Sequence, residues 1–239
     1  MNTLKDIVNI IEAEGFEGAH SLIFLIRYAK LADDRKLMTL IENTMEGMTS
    51  LPADENLLAA YKEYYRATGC GADAVKFLEG KVGQKEELLP WDCLELYRES
   101  FEPELLERAI KGGEFILEHF HEMFNPSDVY DIEAPSFNSR VAVLFDELAR
   151  HTGDEKFVEA RKKQNKFIRL LADKYPGKVN YGLCALLAEE FGETTLLCRG
   201  SIPEAVRSFY SPTTAIIFEP SGEESISILK NGEFVELKV

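Results

Sequence analysis

The residues predict a mainly α protein built from antiparallel helical hairpins, with a small α/β unit at the C-terminal end that finishes in a β-hairpin. Three observations lead there. A helix–turn–helix pattern recurs four times along the chain. Between the turns the apolar residues fall at helical spacing, and beyond Phe191-Gly192 that spacing gives way to short β-prone runs. With 239 residues, 45% of them hydrophobic, the chain has enough apolar side chain for a sizeable core.

The repeats read YAKLADDRKL from Tyr28, YRATGCGADA from Tyr65, YRESFEPELL from Tyr97 and ARHTGDEKFV from Ala149. Nine positions after each anchor stands an apolar residue: Leu37, Ala74, Leu106 or Val158. The turns carry Asp33-Asp34, Gly69, Pro103 or Gly153-Asp154, residue types that stop one helix or start the next. Around them, Leu22, Leu25, Ile26 and Ala29 share one helix face, as do Leu57, Leu58, Tyr61 and Tyr65, and again Val141, Leu144, Phe145 and Leu148. Ten helices follow, near 3–14, 19–32, 34–48, 53–68, 70–82, 90–100, 103–124, 136–152, 154–174 and 180–191.

A hairpin cannot bury its apolar face alone, so neighbours must stack. An open superhelix and an α/α toroid both satisfy that requirement. In a toroid, the apolar helices at 22–32, 57–65 and 141–149 would line the inside. The stretch 154–169, with Lys156, Arg161, Lys162, Lys163 and Lys166, would face outward. Asn125-Pro126-Ser127-Asp128 and the following Tyr130-Asp131 read as a loop across the rim.

Residues 1–191 thus form the helical-hairpin part and 192–239 the α/β unit. In the latter, Thr194–Cys198 is a strand, and Ser201-Ile202-Pro203-Glu204 has the spacing of a capping box opening a short helix. Thr214–Phe218 is a second strand, parallel to the first in a βαβ unit. Ser225–Lys230 and Glu233–Val239 flank Asn231-Gly232, a strong hairpin signal. Few residues separate this unit from the last helix, so it should pack on the helices.

Composition narrows the function. The formal net charge of −15 repels phosphate backbones, and no basic stripe offsets it, which argues against nucleic acid. No apolar run approaches the ~20 residues that span a bilayer. Met1–Glu14 lacks a signal-peptide core, so the expected setting is cytoplasmic, away from membranes. Cys70, Cys93, Cys184 and Cys198 form no CxxC pair and read as free, largely buried thiols. No cofactor motif of the P-loop, G-x-G-x-x-G, G-x-S-x-G or H-E-x-x-H kind occurs. His119 and His121 point to nearly opposite sides of a helix and cannot chelate together, so no metal site is expected. His151 reads as a solvent-exposed residue at a helix C-terminus, favoured there by the dipole.

The stretch EAPSFNSRVAVLFDELARHTGDEKFVEARKKQNKFI, Glu133 to Ile168, resembles the late helical region of one family. That family is the YyaL-like, spermatogenesis-associated protein 20 type of thioredoxin-domain-containing proteins. HSLIFLIRYAKLADDRKLMTLIENTMEGM from His20 resembles the first hairpin after its thioredoxin domain, and DENLLAAYKEYYRATG from Asp54 the next helix. TTLLCRG through TTAIIFEP is similar to the βαβ piece beyond the helices. The resemblance implies an (α/α) toroid related to the N-acylglucosamine 2-epimerase and six-hairpin glycosidase group, here incomplete. The family's thioredoxin domain and CxxC have no counterpart in these residues. Its long Gly- and His-containing connection is reduced to Thr49-Ser50-Leu51-Pro52-Ala53, and the Asn231-Gly232 hairpin replaces its Cys-containing strand.

In a toroid, the N-termini of the inner helices gather at one end. Those positions hold His20 and Ser21, Glu55 and Asn56, Trp91 and Asp92, then Glu133, Ser136, Asn138 and Arg140, and finally Asn180 and Tyr181. Glu55, Asp92 and Glu133 are the candidate acid and base groups, and Trp91 offers a stacking face. His20, Asn56, Ser136, Asn138, Arg140 and Tyr181 would complete a site for a small polar or sugar-like ligand. Ser, Asp and Asn at such positions also serve simply as helix N-caps. The missing family segments weigh against catalysis. The leading expectation is a non-catalytic or degenerate toroid that binds a small polar ligand or a protein partner. The alternatives are a carbohydrate-active enzyme of the epimerase or glycosidase type, and a subunit that docks on a separate thioredoxin-like protein.

Overall fold

A computed structural model of the chain describes residues 2–15, 18–48, 52–83, 85–123 and 128–237. Among the described residues nine long helices come first: α1 (Leu4–Glu14), α2 (Ala19–Leu31), α3 (Arg35–Met48), α4 (Glu55–Thr68), α5 (Ala72–Val82), α6 (Pro90–Ser100), α7 (Pro103–Met123), α8 (Phe137–Thr152) and α9 (Glu155–Lys174). A 3-10 turn (Gly182–Leu186) runs into the short α10 (Leu187–Phe191). The α/β unit follows, with β1 (Thr194–Arg199), α11 (Glu204–Arg207), β2 (Thr214–Glu219), β3 (Ser225–Lys230) and β4 (Glu233–Glu236). The protein is mainly α with a small C-terminal sheet, as the periodicity predicts. Asn125, Pro126 and Ser127 of the expected rim loop lie outside the described residues, as do Thr49, Ser50 and Leu51 of the shortened connection.

The helix boundaries follow local chemistry. Asp54 accepts from the Leu57 N–H and Ser136 from the Ser139 N–H, so both cap the helices they precede. Between α8 and α9, Gly153 takes φ +63, a left-handed conformation that a side chain would strain, and Asp154 then caps α9. Asp33, at φ +50, performs the same reversal between α2 and α3. The capping box expected at Ser201 does not form. Pro203 holds the extended N-cap conformation, so Glu204 falls at the first helical position, too early to reach back.

Burial sorts the helices into two kinds. Every residue of α2 from His20 to Ala29 is buried, and so is α8 from Asn138 to His151 apart from Arg140. By contrast α3 buries only Leu37, Ile41 and Met45, one stripe at helical spacing, and α9 buries Phe157, Ala160, Asn165, Ile168 and Ala172. The helices pack in pairs: α2 on α3 and α4, α4 on α5, α6 on α7, and α8 on α9. Gly113 lets α7 approach this layer closely, because a Cβ there would meet Leu148 at 2.4 Å. The 3-10 turn packs against α2, α8 and α9.

The sheet order is β2-β1-β3-β4, with β1 and β2 parallel and the other pairs antiparallel. Asn231 and Gly232 both have positive φ, which suits the twist of a two-residue hairpin. The unit sits on the C-terminal ends of α6 and α8. Tyr97 donates to the Ile216 carbonyl and accepts from the Phe218 N–H, both at 3.0 Å, while Thr195 donates to the Arg150 carbonyl. Tyr97, Phe101, Cys198, Ile202 and Val206 make a small apolar core between the two parts. Among the described residues no helix is long and apolar enough to cross a membrane.

Candidate functional site

At the N-terminal ends of the enclosed helices the chain closes on itself. The Asp131 carboxylate is buried and accepts from the Ser136 N–H at 2.8 Å and the Tyr181 N–H at 2.9 Å. Its own N–H donates to the Lys178 carbonyl. Burial raises the Asp131 pKa, opposed by the Ser136 and Ser139 hydrogen bonds and the nearby His20 ring. Asn180 donates to Ser21, and Asn138 to the Asp128 carbonyl. His20, Ser21, Ser136, Asn138 and Asn180 are therefore parts of the buried structure that orient this end.

The other expected residues lie nearer the surface and pair among themselves. Lys85 bridges Glu55 and Asp92 at 2.7 and 2.9 Å. Asn56 donates to the Glu133 carbonyl, and the Arg140 guanidinium stacks 5.4 Å from the Trp91 ring. Glu133 is exposed. These residues gather at one end but line neither of two cavities. The first cavity, about 490 Å³, is bounded by Gly18, Tyr130, Ile132, Tyr175 and Lys178.

The second, about 650 Å³, lies at the opposite end, where α4, α6 and α8 finish and the segment Glu204–Ile216 crosses over them. Its wall contains Lys62, Arg66, Arg98, Glu147, Arg150 and His151. Behind that wall is a buried ion-pair network. Arg27 binds Glu63 in two-pronged fashion, Nε to Oε1 at 2.7 Å and Nη2 to Oε2 at 3.1 Å. Glu147 stands 3.3 Å from Arg98 and 3.9 Å from Arg27. Arg66 contacts Glu99 at 2.7 Å, Glu95 at 3.3 Å and Glu63 at 3.7 Å, and Lys62 contacts Glu79 and Glu99. From the crossing segment, Tyr210 donates its hydroxyl hydrogen to Glu63.

Burial alone would neutralise such acids. For Glu63 the burial cost is overcome by the Arg27 charge and its hydrogen bonds, which hold the carboxyl at about 2. Glu147 is also lowered, burial again being outweighed, here by Arg98 and then Arg27. Asp146 goes the other way, raised by burial despite Arg150 at 2.8 Å. His151 corrects the sequence expectation of an exposed residue. It is only 6% exposed, because the α/β unit covers the end of α8, and burial pushes its pKa down to about 4. Its Nδ1 donates to the Glu147 carbonyl at 2.8 Å, which favours the charged ring, but burial outweighs that bond and leaves a neutral ring beside the cleft.

Of the thiols, Cys93, Cys184 and Cys198 are buried as expected, and Cys70 is exposed. Burial pushes Cys184 up to about 12, so its thiol stays protonated. Among the described residues no group of three His, Cys, Asp or Glu side chains is placed to hold a metal ion.

Arg27, Glu63, Arg66, Arg98, Glu147, Arg150 and Tyr210 were not singled out by sequence reasoning. A signal existed. Arg27 interrupts LIFLIRYA, Glu63 sits in AAYKEYY and Glu147 in VAVLFDELA, each a charge on a helix otherwise read as apolar. A charge in such a place needs a partner of opposite sign. No family model, curated protein or solved structure matches the chain.

Proposed function

We propose that the chain is a ring of helical hairpins that binds a small polar ligand, without chemistry, in the cleft at the C-terminal ends of α4, α6 and α8. The ring reading rests on the order of contacts. The helices pack in pairs, α4 reaches α6 through Arg66, and the 3-10 turn touches both α2 and α8. An incomplete α/α toroid accounts for all of these at once, and it agrees with the family resemblance of Glu133–Ile168.

The observation that carries the binding reading is the state of the carboxylates. Glycosidic or epimerising chemistry needs a carboxyl poised to give up or take a proton near neutral pH. Glu63 and Glu147 are instead locked ionised by guanidinium partners. The network therefore positions hydrogen-bonding groups around a cleft whose volume, about 650 Å³, is in the range of small-molecule sites.

A thermal-shift screen over sugars, sugar phosphates, amino acids and nucleosides tests this reading. A binder at about 100 times its Kd adds about 2.7 kcal/mol of stability and raises Tm. The expected result is at least one such shift, with the ligand recovered unchanged after incubation. No shift across the panel would contradict the binding reading. A ligand converted to product would contradict the absence of chemistry.

A further inference from the structure

The two edges of the sheet, β2 and β4, are treated differently. On the outer side of β2 the Tyr97 hydroxyl holds the Ile216 carbonyl and the Phe218 N–H, so no strand can add there without displacing it. At β4 no group outside the sheet bonds to the backbone among the described residues. The Leu237 N–H donates to the Ile226 carbonyl at 2.7 Å, which sets the alternation of the antiparallel β3–β4 ladder. Glu233 and Val235 therefore bond inward to β3, and the N–H and C=O groups of Phe234 and Glu236 point outward. Every side chain of β4 is exposed, Phe234 at 42% and Val235 at 48%.

A row of unpaired backbone groups is a template for another extended chain. The charges decide which chain. Glu233 and Glu236 bracket Phe234-Val235. Between Pro220 and Leu237 the acids Glu223, Glu224, Glu233 and Glu236 face a single base, Lys230, which stands opposite Glu233 in the hairpin. A second copy of this chain is a poor match. Pairing about a two-fold axis would set Phe234 opposite Glu236 and leave the two Glu236 carboxylates diagonal neighbours, between bodies of net charge −15. A strand with two apolar residues between two bases would instead oppose each acid with a base and cover both exposed apolar side chains.

We infer that the β4 edge docks an extended segment of another protein with the pattern basic–apolar–apolar–basic, added antiparallel as a fifth strand. Its bases lie opposite Glu236 and Glu233, and its apolar residues opposite Val235 and Phe234. Phe234 and Glu236 each exchange two backbone hydrogen bonds with it.

Fluorescence anisotropy of the full chain titrated against a labelled peptide, TTKVVRTT, tests this. It should bind at least about tenfold tighter than TTEVVETT, because two attractive cross-strand pairs become repulsive in the acidic peptide. Glu236→Pro removes an outward N–H and no rung of the β3–β4 ladder, so binding should fall at least about tenfold with Tm little changed. Glu236→Gln keeps that N–H and should weaken binding only about threefold. Methylating the backbone nitrogens of the peptide's lysine and second valine keeps its charges but blocks the bonds to β4, and should also abolish binding whatever the proline variant does to the fold. No binding of TTKVVRTT would overturn the docking site. Equal binding of the acidic peptide would overturn the basic partner. Binding insensitive to both methylation and Glu236→Pro would put the peptide elsewhere on the acidic surface and overturn the edge. Dimerisation of the chain in sedimentation, lost in Glu236→Pro, would make a second copy the occupant and overturn the proposal.

Discussion

At the N-terminal ends of α2 and α8 the protein is sealed by Asp131 gripping the backbone N–H groups of Ser136 and Tyr181. At the C-terminal ends the side chains grip one another instead, Arg27 to Glu63 and Arg98 to Glu147, and a cleft remains in front of them. The difference follows from what each end exposes. Helix N-termini present free N–H groups, which a single carboxylate can satisfy. C-termini present carbonyl groups that only donors can satisfy, and Lys30 does so for Ala67. Basic residues are therefore drawn to that end, and buried carboxylates follow to balance them.

The largest loss of stability is expected at the ion-pair end. Arg27→Met leaves Glu63 buried without its main partner and should cost about 3–5 kcal/mol in urea unfolding. Adding Glu63→Gln to that variant should recover part of the loss, because the uncompensated charge is gone.

Acid should distinguish the groups by window. The His151 ring has its pKa at about 4 in the folded protein against an ordinary 6.5, so the unfolded chain takes up that proton first. Stability from the neutral ring is fully present above pH 6.5 and drains away as pH falls towards 4, by up to about 3 kcal/mol. Glu63, at about 2 against an ordinary 4.5, gives way only below pH 4.5. His151→Gln should flatten the loss in the upper window and leave the lower one, as followed by Tm against pH.

A smaller effect is expected at the sealed end. Asp131→Ala strands two buried N–H groups and should cost about 2 kcal/mol, with no change in ligand affinity. Smallest of all, Phe209→Ala should alter stability by less than about 0.5 kcal/mol, since the ring is largely exposed, while still weakening ligand binding.

Much of the architecture was legible in the residues. The turn signals at Gly69, Gly153-Asp154 and Asn231-Gly232 act locally, and the helices and hairpin around them form where expected. Ser201 misled because Pro203 determines the local backbone before the capping spacing can act. The site was harder to read. Helix N-termini draw attention because Ser, Asp and Asn there look functional, yet Ser136 caps α8 and Asn180 holds Ser21. The cleft depends on residues far apart in sequence, such as Glu63 and Tyr210, 147 positions from each other. No local pattern links them, and only a charge within an apolar helix face hints that a distant partner exists.

Amide hydrogen exchange on the full chain, with and without a saturating ligand found in the thermal-shift screen, locates the site. Protection should appear at 62–69, 97–101, 147–151 and 204–216, the segments that wall the cleft, and be absent around Glu55, Asp92 and Glu133. Protection centred on Glu55, Asp92 and Glu133 instead, with 204–216 unchanged, would contradict the account and return the site to the opposite end of the helices.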